Sequence, residues 1–203
     1  MKDKYLYIIY IEKFLQKKYF SYITIDPGAR NIGWSFASIY KNNHIIHDYG
    51  SFIYIRKQID IVSDNRFKYI YDSIENLILK YNPDFIVIEK NNYISNKYMH
   101  GEQILLRSIG AINTCLNHHT KYVVEISNIK AKSIIHDYYN VKIKNKNDIK
   151  QFVMENIVNN NVFLKNKKKD KLSQDIIDAL FFSVTIFCSY LEYKNTKSFE
   201  TKK

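Results

Sequence analysis

Four carboxylates stand where a chain can bring acids to one point. Asp26 closes Ile25-Asp26-Pro27-Gly28, Glu89 closes Ile86-Val87-Ile88-Glu89, and Asp175 and Asp178 lie in Ser173-Gln174-Asp175-Ile176-Ile177-Asp178. The first two each end an apolar stretch of strand character. Asp175 and Asp178 share one face of a helix, because their spacing is close to one turn. Strand ends of a sheet and one helix can converge, and a point holding four carboxylates suits divalent cations. Oxygen donors of this kind favour Mg²⁺ or Mn²⁺ over zinc. Two such ions, about 3.5–4 Å apart, activate water and stabilise the leaving oxygen in phosphodiester hydrolysis.

Each acid also has a plainer reading. Asp-Pro-Gly is a common turn sequence. Glu89 follows Phe85-Ile86-Val87-Ile88, and such an acid must reach a rim, a cation or a metal, because burying it unpaired is costly. Asp175 falls in a first helical turn if Ser173 is the cap, where the helix dipole favours it. Asp178 is preceded by Ile176-Ile177 and followed by Ala179-Leu180-Phe181-Phe182. An acid that close to an apolar stripe wants a metal or a hydrogen-bond partner. The conjunction of the four favours a metal site. Glu125, at another strand end, is assigned a supporting or surface role. The six His lack zinc spacing, and His118-His119 is read as surface or capping.

The elements that must position these acids follow from periodicity. Tyr22–Asp26, Gly33–Tyr40 and His44–Tyr54 read as three strands with short connections, hence an antiparallel meander. Phe67, Ile70, Tyr71, Ile74, Leu77 and Ile78 make one face of a helix over Arg66–Tyr81, stopped by Asn82-Pro83. Asp84–Glu89 is a buried strand, Ser95–Asn117 contains a helix, and Lys121–Ile126 is a further strand. Ser127 or Asn128 caps a helix around Lys130–His136, and Asn147 caps the next. A last long helix runs from Ser173 to about Tyr193. Parallel strands are added to the meander through the helices.

The 203-residue chain, 46% hydrophobic, forms one core. It divides into an N-terminal extension (1–20), a main domain (21–193) and a polar tail (194–203). Net charge is +11 and the pI about 9.4, which favours a polyanionic partner through phosphate contacts. An acidic metal site on a basic protein reads first as a nuclease. Heavy use of Ile, Asn, Lys and Tyr, with 18 Tyr, has the stamp of an AT-rich genome. Cys115 and Cys188 lie in apolar helical stretches and read as core thiols, without a disulfide framework. The expected setting is intracellular, with cytoplasm, viral factory and organelle all open. No run of about 18 apolar residues predicts a membrane span, and residues 1–20 lack the features of a secretory signal.

The ordered motifs resemble a known family. Tyr22–Phe36 is similar to the opening strand pair of RuvC-type Holliday junction resolvases, Phe85–Glu89 to their second acidic motif, and Asp175-Ile-Ile-Asp-Ala-Leu180 to their closing helix. Ala131-Lys132-Ser133-Ile134-Ile135 and Lys146-Asn147-Asp148-Ile149 resemble the lysine-bearing segments between the last two motifs. The resemblance spans roughly Tyr22 to Tyr190. It implies an α/β, RNase H-like fold: a five-stranded mixed sheet flanked by helices. It implies a homodimer that binds a four-way DNA junction, a kind of branched DNA, and cuts two strands symmetrically. Asp26, Glu89, Asp175 and Asp178 would hold two Mg²⁺ ions, with Mn²⁺ as the alternative metal. Lys132 and Lys146 would lie near the scissile phosphate, with Lys130 the alternative to Lys132. Expected DNA contacts are Arg30, Lys90, Tyr93, Lys130, Lys167 and Lys168. Viral (poxvirus-like) and organellar members of the family suit the composition.

The second motif continues Lys90-Asn91-Asn92-Tyr93, where bacterial members differ, and Tyr93 is expected to stack on an unpaired base. Lys165–Lys171 is more basic than usual for the family. The Ser95–Asn117 helix is the candidate dimer interface, with Ile104, Leu105 and Ile112 divided between core and partner. Two other readings stand beside the resolvase. RNase H-like sheets also host nucleases acting on RNA–DNA hybrids or other branched DNA. A non-catalytic basic DNA-binding module would use the acids only as caps and turns.

Overall fold

The structure is a computed structural model describing residues 12–28, 31–54, 65–90, 99–119, 121–158 and 172–200. Three strands open it: β1 (Tyr19–Asp26), β2 (Asn31–Tyr40) and β3 (Asn43–Ile53). Helix α1 (Arg66–Tyr81), strand β4 (Phe85–Glu89), helix α2 (Met99–His118) and strand β5 (Tyr122–Ile126) follow. Helices α3 (Asn128–Tyr139), α4 (Lys146–Val153) with a π-helical continuation (Met154–Val158), and α5 (Gln174–Glu200) complete it. The sheet order is β3-β2-β1-β4-β5. β1, β2 and β3 pair antiparallel, while β4 runs parallel to β1 and β5 parallel to β4. The predicted meander with parallel additions is the observed topology.

Side-chain alternation along the strands sorts residues onto two faces. Ile23, Ile25, Ile86 and Ile88 pack with Ile70, Ile74, Leu77 and Ile78 of α1 and Ile112, Cys115 and Leu116 of α2. Phe20, Tyr22, Phe85, Val87, Val124 and Ile126 face the other way, against α3, α4 and α5. The result is helix–sheet–helix. Asp26 and Glu89 continue the second alternation, so both carboxylates project toward the α5 face.

Helix boundaries have local causes. Asn82 adopts a left-handed conformation (φ 41°) and returns its N–H to the Ile78 carbonyl, closing α1 just before Pro83. Ser127 caps α3 by accepting from Lys130 N. The cap of α4 is Asn145 rather than Asn147. Its side chain accepts from Asn147 N and Asp148 N, and Asp148 reciprocates on the backbone of Asn145. This reciprocal box satisfies more free donors than a lone cap at Asn147 would.

Helix α5 continues to Glu200, past Tyr193, where the sequence reading ends it. Phe14 and Leu15, assigned to the N-terminal extension, are buried in the core, and Tyr193 reaches Glu12 with a 3.0 Å hydrogen bond. Helix α5 is long and apolar enough over Gln174–Thr196 to cross a membrane, but most of that stretch is buried inside the fold. Here it is the core helix. Both cysteines are buried thiols.

Candidate active site

The site begins with how α5 is laid across the sheet. The Tyr22 hydroxyl donates to the Ser183 carbonyl at 3.0 Å, and the Thr24 hydroxyl donates to the Ala179 carbonyl at 2.8 Å. Two residues of strand advance about 6.6 Å and four residues of helix about 6 Å, so the two ladders stay in step. One more step carries the pattern to Asp26 opposite Asp175. The buried side chains along this seam, Thr24, Ser35 and Ser183, are small enough to let the helix come close.

Gly33 fixes the end of that seam. It pairs with Asp26 across β1 and β2. A Cβ on Gly33 would fall 1.9 Å from the Asp175 carbonyl oxygen, so only glycine admits the first turn of α5 here. Ser173 holds that turn, accepting from Ile176 N at 3.4 Å through its hydroxyl and from Ile177 N at 3.1 Å through its carbonyl. On the other side, Ile25 pairs with Ile88 in parallel register, which sets Glu89 beside Asp26.

The four acids line one cavity of about 610 Å³ together with Pro27, Gly28, Asn128, Lys132 and Lys146. Burial, a hydrogen bond that the protonated Asp26 donates to Glu89 and the charges of Glu89, Asp178 and Asp175 push the Asp26 carboxyl up to about 9. Burial also raises the Asp178 carboxyl, against the lowering effects of a 2.8 Å hydrogen bond from Gln174 and the charge of Lys146. Among the described residues, these carboxylates are therefore short of positive charge.

The basic wall comes from α3 and α4. The Asn145–Asp148 box fixes the start of α4, where Lys146 Nζ stands 3.9 Å from Asp178 Oδ2. Lys132 is tied to the same segment through a 3.3 Å bond to the Lys144 carbonyl. Thus Asp26, Glu89, Asp175, Asp178, Lys132 and Lys146 come together. Lys130 does not line the cavity, so Lys132 is the lysine of its pair that reaches it. Lys90 is exposed directly after Glu89, and Glu125 is exposed on β5. Arg30, Tyr93, Lys167 and Lys168 lie outside the described residues.

Three wall residues escaped the sequence reading as site components. Asn128, read there only as a cap, donates to Glu89 Oε1 at 3.4 Å, while its own buried Oδ1 has no hydrogen-bond partner among the described residues. Ile129 is 72% exposed beside it, and Lys144 adds a further cation to the lining. The register supplies the missing cue for Asn128: Ile126 pairs with Glu89, so the turn after β5 must pass the acid. A crowd of under-compensated carboxylates with an orphaned amide oxygen beside it fits divalent cations with their water ligands.

A mixed sheet in this order, with acids at the carboxyl ends of neighbouring parallel strands and on the closing helix, defines an RNase H-like nuclease fold. The family model for crossover junction endodeoxyribonuclease RuvC matches residues 22–185. A RuvC of Fusobacterium nucleatum is 34% identical over 74 residues, 36% of this chain and 37% of that protein. A RuvC of Alkaliphilus oremlandii is 25% identical over 163 residues, covering 79% of this chain and 88% of the relative. Among solved structures, Thermus thermophilus RuvC in complex with Holliday junction substrate aligns with a TM-score of 0.62 at 12% identity, over 84% of this chain and 96% of that one. The yeast mitochondrial Holliday junction resolvase aligns with a TM-score of 0.65 at 14% identity, over 97% and 91%. The chain belongs to the RuvC family of crossover junction endodeoxyribonucleases, which are Holliday junction endonucleases using divalent metals.

Proposed function

We propose that this chain resolves four-way DNA junctions by paired, Mg²⁺-dependent incision as a homodimer. The observation that carries the reading is the convergence of four acids from β1, β4 and α5 on one cleft, faced by Lys132 and Lys146, in a chain of this family. Asp26, Glu89, Asp175 and Asp178 would hold two Mg²⁺ ions, with Mn²⁺ able to substitute. When bound, the ions supply an activated water and a stabilised leaving oxygen.

The chain's own residues do the rest. Asp26 keeps its carboxyl proton while the cleft is uncompensated and gives it up when cationic charge enters, so ion affinity rises with pH. Lys146, near Asp178, and Lys132, anchored on Lys144, put ammonium groups where charge develops on a phosphate. Asn128 orients Glu89. Lys90 and Lys130, on the flanks of the cleft, together with Arg30, Tyr93, Lys167 and Lys168, are proposed to hold the junction arms. One site per subunit cuts one strand, and a two-fold axis matches the symmetry of the junction. Ile112 is committed to the core, while Leu106, 62% exposed, is available on α2 for the partner.

The test is a substrate panel: a four-way junction, a linear duplex and an RNA–DNA hybrid, each with Mg²⁺ or chelator. Symmetric paired nicks on the junction alone, only with metal, are expected. Cleavage of the hybrid instead would replace the substrate and leave the fold standing. Metal-independent binding without cleavage of anything would sink the enzymatic reading.

A further inference from the structure

On the opposite face of the sheet, α1 and α2 bring together side chains the acid cleft does not use. Glu75 of α1 and His118 and His119 at the end of α2 place one ligand-capable atom each within 4.8 Å of one another. His119 Nε2 is 2.9 Å from Glu75 Oε1. The imidazole rings of His118 and His119 are 5.1 Å apart, centroid to centroid, at 41°. The Tyr71 hydroxyl bonds Nδ1 of His118. Tyr71 and Glu75 are one helical turn apart, so a single face of α1 supplies both. The sequence reading of His118-His119 as surface or capping overlooked Glu75, which is distant in the chain.

We propose that Glu75, His118 and His119 form a second metal site, selective for zinc-like transition ions, that clasps α1 to α2. Two imidazoles and one carboxylate are the donor set of Zn²⁺, Co²⁺, Ni²⁺ or Cu²⁺, and not of Mg²⁺. Two ligands bound to zinc at about 2.0–2.1 Å in tetrahedral geometry lie roughly 3.3 Å apart, so the Glu75–His119 pair needs to open only slightly to admit an ion. Tyr71 on His118 is the kind of outer contact that orients a metal-bound imidazole. His119 N donates to the Cys115 carbonyl at 3.1 Å, holding the residue against the end of α2. That end carries the negative pole of the helix dipole, which favours a cation. Three protein ligands leave room for water.

The two sites are separate. α2 ends just before β5 begins, at the amino ends of the parallel strands, whereas Asp26 and Glu89 stand at their carboxyl ends. The length of β4 alone separates the two ends by on the order of 15 Å. The ion would act as a clasp. α2 is the helix that follows β4 and its terminal Glu89, so fixing α2 on α1 steadies the layer behind the acid strand.

The experiment uses the full chain carrying Asp26→Asn and Asp178→Asn, so that the acid cleft does not contribute. Co²⁺ is titrated in and visible absorption is recorded, followed by Zn²⁺ competition with Mg²⁺ as control. One equivalent of Co²⁺ with the absorption of a four- or five-coordinate nitrogen site is expected, displaced by Zn²⁺ and untouched by excess Mg²⁺. At a hundredfold excess over its Kd, Zn²⁺ raises Tm by about 5–10 °C. His119→Ala abolishes both effects. His118→Ala, an exposed change that leaves the fold intact, weakens Co²⁺ binding at least about tenfold. Absence of a Co²⁺ band, displacement by Mg²⁺, or full binding in either His variant overturns the proposal and leaves these residues as an ion pair between helices.

Discussion

Replacing Asp26 with Asn is expected to stabilise the metal-free protein while abolishing cleavage. In the folded chain the Asp26 carboxyl is pushed from 3.8 up to about 9, by burial first and then by its acidic neighbours. In the unfolded chain it ionises near its ordinary value. At pH 7 the folded state therefore holds a proton that the unfolded state has released, and stability falls as pH rises from about 4 toward 9. At about 1.36 kcal/mol per pH unit between 3.8 and 7, the uncorrected cost at pH 7 is about 4.4 kcal/mol. Relaxation and water in the open cleft lower the expected figure to about 2 kcal/mol. Asn keeps the shape and has no proton to lose. Asp26→Asn should raise Tm by about 4–8 °C at pH 7 in chelator, and by almost nothing at pH 4, where both forms are neutral at position 26. Thermal melts at the two pH values, with wild type alongside, make the assay. Added Mg²⁺ should raise the Tm of wild type and leave the variant nearly unmoved. Equal or lower stability of Asp26→Asn at pH 7 in chelator would refute the claim that burial and the acidic neighbours hold the Asp26 carboxyl protonated in the folded chain.

Other outcomes follow from the seam and the basic wall. Gly33→Ala should displace the first turn of α5, since the added carbon meets the Asp175 carbonyl at 1.9 Å; junction cleavage should fall more than junction binding in parallel assays. Thr24→Val removes a buried donor to the Ala179 carbonyl and should cost about 1–2 kcal/mol in urea unfolding. Lys146→Ala should leave Tm unmoved because the side chain is largely exposed, yet slow single-turnover cleavage by about a hundredfold. Asn145→Ala should cost about 1 kcal/mol of stability through the lost cap, and lower cleavage further by loosening Lys146.

The fold was legible because its local cues agree with its topology. Tyr22–Asp26 and Phe85–Glu89 read as apolar strands each closed by an acid, and Asn82-Pro83 marks the end of α1 at the right residue; the face each acid takes emerges only from the observed packing. The convergence of Asp26, Glu89, Asp175 and Asp178 follows from strand ends and a helix start. The choice of Asn145 over Asn147 was not legible, because the reciprocal bond from Asp148 decides it. Asn128, Ile129 and Lys144 reach the cleft only through the β4–β5 register and the fold of 141–145, which no local pattern encodes. The continuation of α5 to Glu200 was hidden by the polar composition of the tail; Tyr193 on Glu12 is a long-range contact. The Glu75–His119 pair is invisible for the same reason.

The most direct test of the central claim compares wild type and Asp178→Asn on one labelled four-way junction, scoring binding and nicking on the same preparations. Asp178 is buried within the acid cluster and faces Lys146. The expected result is Mg²⁺-dependent paired nicking by wild type, and junction binding of similar affinity without nicking by Asp178→Asn. Nicking by the variant at the wild-type rate, or nicking by wild type in chelator, would contradict a metal-dependent cut made by these four acids.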